Sequence, residues 1–195
     1  MRKLLWFLIF VQALILVRNS VFNDWGAFYW FCDSAALVFA IAVYYKNTDA
    51  IKGVLNVGLV AQIIWLVDFA SGLTGHFVLG VTEYAFSYLN TPWILVPLLM
   101  HVATPAIMLW QTRKHKPNRK ALAWSFGYLI LLFVLALAAP VEENASCVRE
   151  ICGLETIRLP AYTLLWPVYS FIIMVLPAHL LQWLAYLASH HDGVA

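Results

Sequence analysis

The chain has 195 residues, 63% of them hydrophobic and 11% charged, with a mean hydropathy of +0.79. A soluble domain carries roughly 25% charged residues, so this composition excludes a water-soluble fold. The net charge of +2 gives no reason to expect nucleic acid as a partner, and the length is used up by about six spanning helices of roughly 20 residues each. The expected fold class is all-α: one polytopic membrane domain over residues 1–195.

Met1-Arg2-Lys3 followed by an apolar run from Leu4 to Val17 has the charge and length of a signal-peptide core, yet no small-x-small cleavage site follows it. Arg18 can snorkel to the interface while the helix continues, so an uncleaved first span is expected. Charge, Pro and Gly then divide the chain into spans at about 4–22, 25–45, 53–72, 93–111, 121–140 and 161–187.

Orientation follows from cations in the connections, because short cytoplasmic loops retain Lys and Arg. The strongest marker is Thr112-Arg113-Lys114-His115-Lys116-Pro117-Asn118-Arg119-Lys120. Placing it inside puts both termini in the cytoplasm. It also places Arg2, Lys3, Lys46, Lys52 and the loop's five cations on that side, leaving only Arg18, Arg149 and Arg158 outside. The outer 141–159 segment carries Glu142, Glu143, Glu150 and Glu155. It also holds Cys147 and Cys152, whose spacing permits a local disulfide in an oxidising compartment; two free thiols are the alternative. A thiol redox enzyme would show Cys-x-x-Cys, which is absent.

The segment from Leu73 to Pro92 is too polar and Gly-rich to span, yet contains His76, Phe77, Tyr84, Phe86 and Tyr88. Aromatic side chains suit the interface, so an interfacial or re-entrant cap on the outer side is expected.

A charge at bilayer depth costs on the order of 2.5–3.5 kcal/mol, so such residues face one another or a wet cavity. Counted inward at the helical rise from the outer ends of their spans, Cys32, Asp68 and His101 fall at depths of about 10, 6 and 12 Å, in one outer-half layer. His179 is deeper and joins that layer only through tilt or a kink at Pro177. Trp65, Asp68 and Ser71 recur at i, i+3 and i+6 and make a polar, aromatic edge directed at the bundle. The catalytic candidates are Cys32, His101 and Asp68, and the binding candidates are Asp33, Trp65, Tyr84 and His179. For each there is a structural alternative: a membrane Asp pairs with His, and a lone Cys packs as a small hydrophobe. Asn56 and Gln62 are expected to make interhelical hydrogen bonds.

The segments Phe31-Cys32-Asp33-Ser34, Trp65-Leu66-Val67-Asp68-Phe69, Gly80-Val81-Thr82-Glu83-Tyr84, His101-Val102-Ala103-Thr104-Pro105 and Leu176-Pro177-Ala178-His179-Leu180 resemble those of uncharacterised bacterial six-helix membrane proteins. That resemblance covers most of the chain from about residue 30 and implies the bacterial inner (cell) membrane. More distantly, the chain resembles the YwaF-like group, whose eukaryotic relatives include a transmembrane lipid acyltransferase using an intramembrane Cys and His. This second resemblance implies acyl transfer through a thioester, with Cys32 at the nucleophile position and His101 at the base. Here Cys32 follows Trp30-Phe31, where that group carries Leu-His-Leu.

The chemistry is coherent, since a thiol with an ordinary pKa of about 8.5 needs a nearby base to become a nucleophile. His101 would supply it, with Asp68 or Asp33 orienting the imidazole. Two His and two Asp also form a donor set for a divalent metal, but no compact His-x-x-x-His or His-Glu-x-x-His spacing supports one, and no cofactor is called for. Three functional classes follow: a membrane enzyme acting on lipid, a small-molecule or ion carrier, and a structural or assembly protein. Membrane lipids are partners in every case, with a lipid or small molecule as substrate in the first two.

Overall fold

A computed structural model describes residues 2–154 and 156–191; Met1, Glu155 and residues 192–195 lie outside the described residues. Among the described residues all regular structure is helical. Six apolar helices follow in chain order: α1 Arg2–Phe22, α2 Phe31–Tyr44, α3 Thr48–Gly72, α4 Pro92–Thr112, α5 Arg119–Ala138 and α6 Tyr162–His190. Five of them are long and apolar enough to cross a membrane, while α2, with 14 residues, is about 21 Å long.

The second helix is shorter than the expected 25–45 for a local reason. Trp25–Tyr29 forms a separate 3-10 turn, and Trp30 is extended (φ −85°, ψ 144°). Ser146 fixes this corner, its oxygen accepting from Phe31 N–H at 3.1 Å and its hydroxyl donating to the Tyr29 carbonyl at 3.3 Å. Arg18, expected to snorkel, instead pairs with Asp24 at 3.0 Å and is only 12% exposed.

α3 begins at Thr48 rather than at 53 because the Asn47 side chain caps it, accepting from Ala50 N–H at 2.9 Å. Lys52, expected in a cytoplasmic connection, therefore lies inside a helix and is fully buried. α3 is the axis of the bundle: 67% of its most apolar stretch is buried, against 28–39% for the other four membrane-length helices. It packs against α2, α4, α5 and α6, while α1 packs on α2 and on Leu95–Leu98 of α4. Two glycines allow the close approaches. Gly53 lies against Trp124 and the Ala121 carbonyl of α5, and Gly58 lies beneath the Phe31 ring of α2.

α4 and α6 each contain one widened π-helical turn, Leu99–Ala103 and Phe171–Val175. Thr104 N–H donates to the Leu99 carbonyl, and Leu176 N–H to that of Phe171. Each turn is followed two residues later by a proline, Pro105 or Pro177. A helical proline has no N–H to give and its ring clashes with the carbonyl four residues back, which dilates the preceding turn.

Two irregular segments cover the end of the bundle where α3 stops, the cap end. Residues 73–91 fold back over α3 with one short helical turn, Glu83–Phe86, whose Ala85 is fully buried. Phe86 packs against Phe77 (4.9 Å between centroids) and Phe69 (5.2 Å), and Gly72 leaves room for both Phe77 and Phe86. Residues 139–161 contain the disulfide Cys147–Cys152, with Cα atoms 5.4 Å apart. Tyr162, at the start of α6, donates its hydroxyl to the Cys147 carbonyl at 2.8 Å. The opposite, basic end carries Arg113 to Lys120. There Asn118 caps α5 and donates to Asp49 at 2.8 Å, tying the starts of α3 and α5 together.

Candidate functional site

The cap-end site begins with Asp68. Its carboxylate accepts from the backbone N–H of Leu79 (2.7 Å), Gly80 (3.1 Å) and Thr82 (2.9 Å), and from the Thr82 hydroxyl (2.8 Å). This engages both oxygens with one loop and fixes the turn that precedes Tyr84. Tyr84 then sets its hydroxyl 3.2 Å from Trp65 Nε1, which donates to it. The phenolic proton stays available for another acceptor. Burial pushes the Tyr84 phenol well above its usual range, and the neighbouring Cys32 and Asp33 add to the rise, so it stays protonated in any physiological medium.

Trp65 is sandwiched in turn. One face stacks on Phe69, one turn along α3, at 5.0 Å; its ring also stacks on the His101 imidazole at 4.3 Å and 13°. His101 lies in the π turn of α4, where Nδ1 is 2.9 Å from the Pro97 carbonyl. A carbonyl only accepts, so Nδ1 carries the proton and the lone pair is on Nε2. Among the described residues no hydrogen bond engages Nε2. The dilated turn and the Pro97 carbonyl thus hold this imidazole as the tautomer that a general base requires.

Cys32, the only free cysteine, lies in the first turn of α2. It packs with Val11, Ile15, Ala36, Val96 and Met100, beside the turn of α4 that carries His101. No hydrogen bond links it to His101. Asp33, next in sequence, points toward α1, where Asn19 Nδ2 donates to Oδ2 at 2.7 Å, and Arg18 donates to Asn19 Oδ1 at 2.8 Å. Arg18 also reaches the Tyr88 hydroxyl at 3.3 Å. This string joins α1, α2 and the 73–91 cap.

Trp65 thus contacts both Tyr84 and His101, with Cys32 and Asp33 near Tyr84. Asp68 differs from its expected part. It does not orient the imidazole, because its oxygens are taken by the loop and Pro97 holds Nδ1; it is a positioning residue for Tyr84.

His179 also lies elsewhere. Its Nδ1 is 3.3 Å from Asn56 Nδ2, in a second network made by α3, α5 and α6. Asn56 donates to Ser125 Oγ at 3.0 Å and accepts from Gln182 Nε2 at 2.6 Å, while Gln182 also donates to the Lys52 carbonyl at 3.0 Å. Lys52 Nζ is 3.4 Å from Gln182 Oε1. Sequence reasoning missed Lys52 and Gln182, although the signal was available: Lys52 and Asn56 are one turn apart, as are His179 and Gln182, so each pair shares a helix face. Gln62, expected to bond between helices, leaves its buried Oε1 without a partner, as does the buried Thr104 Oγ1.

Among the described residues, no three His, Cys, Asp or Glu side chains come together as a metal site. No family model, curated protein or solved structure matches the chain. A reading of function therefore rests on the two polar clusters themselves.

Proposed function

We propose that the chain is a six-span integral protein of a bacterial cell membrane, both termini cytoplasmic and the cap end outside, that moves an acyl group between lipids through a thioester on Cys32. The observation that carries this reading is the free Nε2 of His101, whose ring stacks on a Trp65 hydrogen-bonded to Tyr84, beside the only free thiol. The topology rests on the cation distribution, with α2 and its Trp25–Tyr29 turn together making the short second crossing.

The steps balance with these groups alone. His101 Nε2 takes the Cys32 proton, directly or through one bridging water, and the thiolate attacks the ester carbonyl of an acyl lipid. The C–O ester bond breaks, the leaving alcohol takes the proton from Nε2, and a thioester remains. A second lipid hydroxyl, or water, then gives its proton to Nε2 and attacks the thioester; the C–S bond breaks and the leaving sulfur takes that proton back from Nε2, restoring the thiol. Tyr84, whose oxygen already accepts from Trp65, points its own proton at the oxyanion of each tetrahedral intermediate. Catalytic hydrogen bonds are often long or absent without substrate, so the acyl donor is the element that brings thiol and imidazole together.

The test is direct. Protein in nanodiscs is incubated with a phospholipid carrying an alkyne-tagged acyl chain, and hydroxylamine-labile label on the protein is measured. Label is expected on the wild type and lost in Cys32→Ser. His101→Gln should lower its rate at least about 100-fold, in line with loss of a general base. Undiminished label in Cys32→Ser overturns the mechanism.

A carrier reading has one observation in its favour: α3 carries four buried polar side chains along its length, Lys52, Asn56, Gln62 and Asp68. It predicts solute or proton flux in proteoliposomes that falls when Gln62 or Asp68 is neutralised or made apolar. An assembly role predicts that Cys32→Ser, His101→Ala protein keeps its function whenever it inserts.

A further inference from the structure

The basic-end network contains a cation with no anion in contact with it. Lys52 is fully buried, and its ammonium has three protons to place. Its one hydrogen bond, to Gln182 Oε1, is 3.4 Å long, well beyond the roughly 2.7–2.9 Å of a charge-assisted bond. The nearest acid in sequence, Asp49, attracts the ammonium through space but is bonded to Asn118 and makes no ion pair with it, and the only ion pair among the described residues is Arg18 with Asp24 at the other end. A buried cation without an anion in contact is costly for a fold to keep.

The rest of the network cannot relieve it, because its directions are fixed by one another. Ser125 donates to the Ala121 carbonyl at 2.8 Å, so its oxygen accepts from Asn56 Nδ2. Asn56 Oδ1 must then accept from Gln182 Nε2, which turns Gln182 Oε1 toward Lys52. With Nδ2 as the donor, His179 Nδ1 is the acceptor, and the proton of the neutral ring is on Nε2. His179 is half-buried, at the seam where α5 and α6 both meet α3. Two donors, the Lys52 ammonium and His179 Nε2–H, are therefore left for a ligand. Lysine's flexible stem lets the ammonium swing toward that seam.

We propose that Lys52 and His179 form a binding site for the oxyanion head of an anionic amphiphile, a phospholipid phosphate or a fatty-acid carboxylate, that enters laterally from the bilayer. Anionic character follows from the unpaired cation, and amphiphilic character from a site enclosed by apolar helices. Arg113, Lys114, Lys116, Arg119 and Lys120 lie at the same end and concentrate acidic headgroups there. Ser189 Oγ, near the end of α6, lies 3.2 Å from the Arg113 carbonyl and 2.7 Å from that of Tyr186, which brings this basic segment against the bundle. The inference stands apart from the chemistry at Cys32, since the two sites share no residue.

The experiment is native mass spectrometry of the full chain in detergent, titrated separately with phosphatidylglycerol, oleate, phosphatidylcholine and inorganic phosphate. One equivalent of phosphatidylglycerol or oleate should be retained at least about tenfold more tightly than phosphatidylcholine, the scale of one hydrogen bond to a charged group. Preference for phosphatidylglycerol identifies the phosphate source, and preference for oleate the carboxylate source. Lys52→Met, matched in length, should lose the preference, Lys52→Arg should keep most of it, and His179→Phe should weaken it several-fold. Wild-type preference in Lys52→Met, or equal retention of phosphatidylcholine, overturns the proposal, as does inorganic phosphate binding as tightly as the lipids. If Lys52→Met does not fold, the half-buried His179→Phe decides: unchanged preference there also overturns it.

Discussion

The two polar clusters are built from the same parts and leave their histidines with opposite atoms free, a donor on His179 and an acceptor on His101. Each is organised on α3, and each takes a histidine from a helix with a π turn, His101 from α4 and His179 from α6. At the basic end, the Asn56 and Gln182 amides are bonded to one another, to Ser125, to His179 and to the Lys52 backbone. At the cap end, His101 turns its Nδ1 onto its own helix and leaves Nε2 open. Side chains bonded across helices hold those helices together. His101, tied to its own helix, keeps an acceptor free, and base chemistry needs such an atom.

The contrast breaks most readily at Asn56. Asn56→Ala removes the centre of a web joining α3, α5 and α6, and takes one partner each from the buried Gln182 and Ser125 and from the half-buried His179. The expected loss is about 4 kcal/mol, since each stranded buried polar group costs roughly 1–3 kcal/mol. It is read from thermal unfolding in detergent. Asp68→Ala should cost about 3 kcal/mol, because it strands three amide donors and a hydroxyl but at a surface loop that water can enter. Here proteolysis within residues 73–91 should rise as well, and Tyr84 should lose its place, so acylation falls. An Asn56→Ala protein as stable as the wild type would show that the web is incidental.

How much of this was visible in the sequence depends on whether a feature follows from hydrophobicity or from a partner far along the chain. The helices were legible, because runs such as Leu129 to Ala136 and Ile63 to Phe69 leave no alternative to spanning or burial. Counting helical rise grouped Cys32, Asp68 and His101 in one layer, and of these Cys32 packs beside the turn of α4 that carries His101. The use made of Asp68 was not legible, because its donors are the backbone of Leu79, Gly80 and Thr82, and backbone leaves no mark on composition. The early end of the second span was hidden for the same reason: Ser146, more than a hundred positions away, makes the corner at Trp30. Lys52 was misplaced because a cation near a span's end looks like a loop residue until its helix is known to start at Thr48.

The two cap segments sharpen the comparison at a smaller scale. One is held by a carboxylate, the other by the Cys147–Cys152 bond, which closes a short loop with a sequence separation of 5. Loop-closure entropy for so short a loop gives about 2 kcal/mol, so Cys147→Ser with Cys152→Ser, or reduction of the wild type, should lower stability by that amount or less. Acylation should survive, because this segment supports α2 through Ser146 rather than through the site. His101→Gln should cost under about 1 kcal/mol, as only one hydrogen bond and part of a stack are lost. A variant nearly as stable as the wild type yet inactive would separate chemistry from architecture at this position.

The smallest expected effect concerns Gln62, on which the clusters make opposite claims. It lies between them on α3, one turn from Trp65, with Oε1 buried and unpaired. If it belongs to the architecture, Gln62→Leu should be neutral or stabilising by up to about 1 kcal/mol, because an apolar group of similar size removes an unmet desolvation cost. If it belongs to the site, stability should stay the same while the rate of label transfer to Cys32 falls. Thr104, three residues beyond His101, has the same unpaired character, and Thr104→Val is the matching change. A fall in rate for both variants at unchanged stability would extend the acyl-transfer site down the α3–α4 interface. Unchanged rates for both would confine it to Cys32, Trp65, Tyr84 and His101.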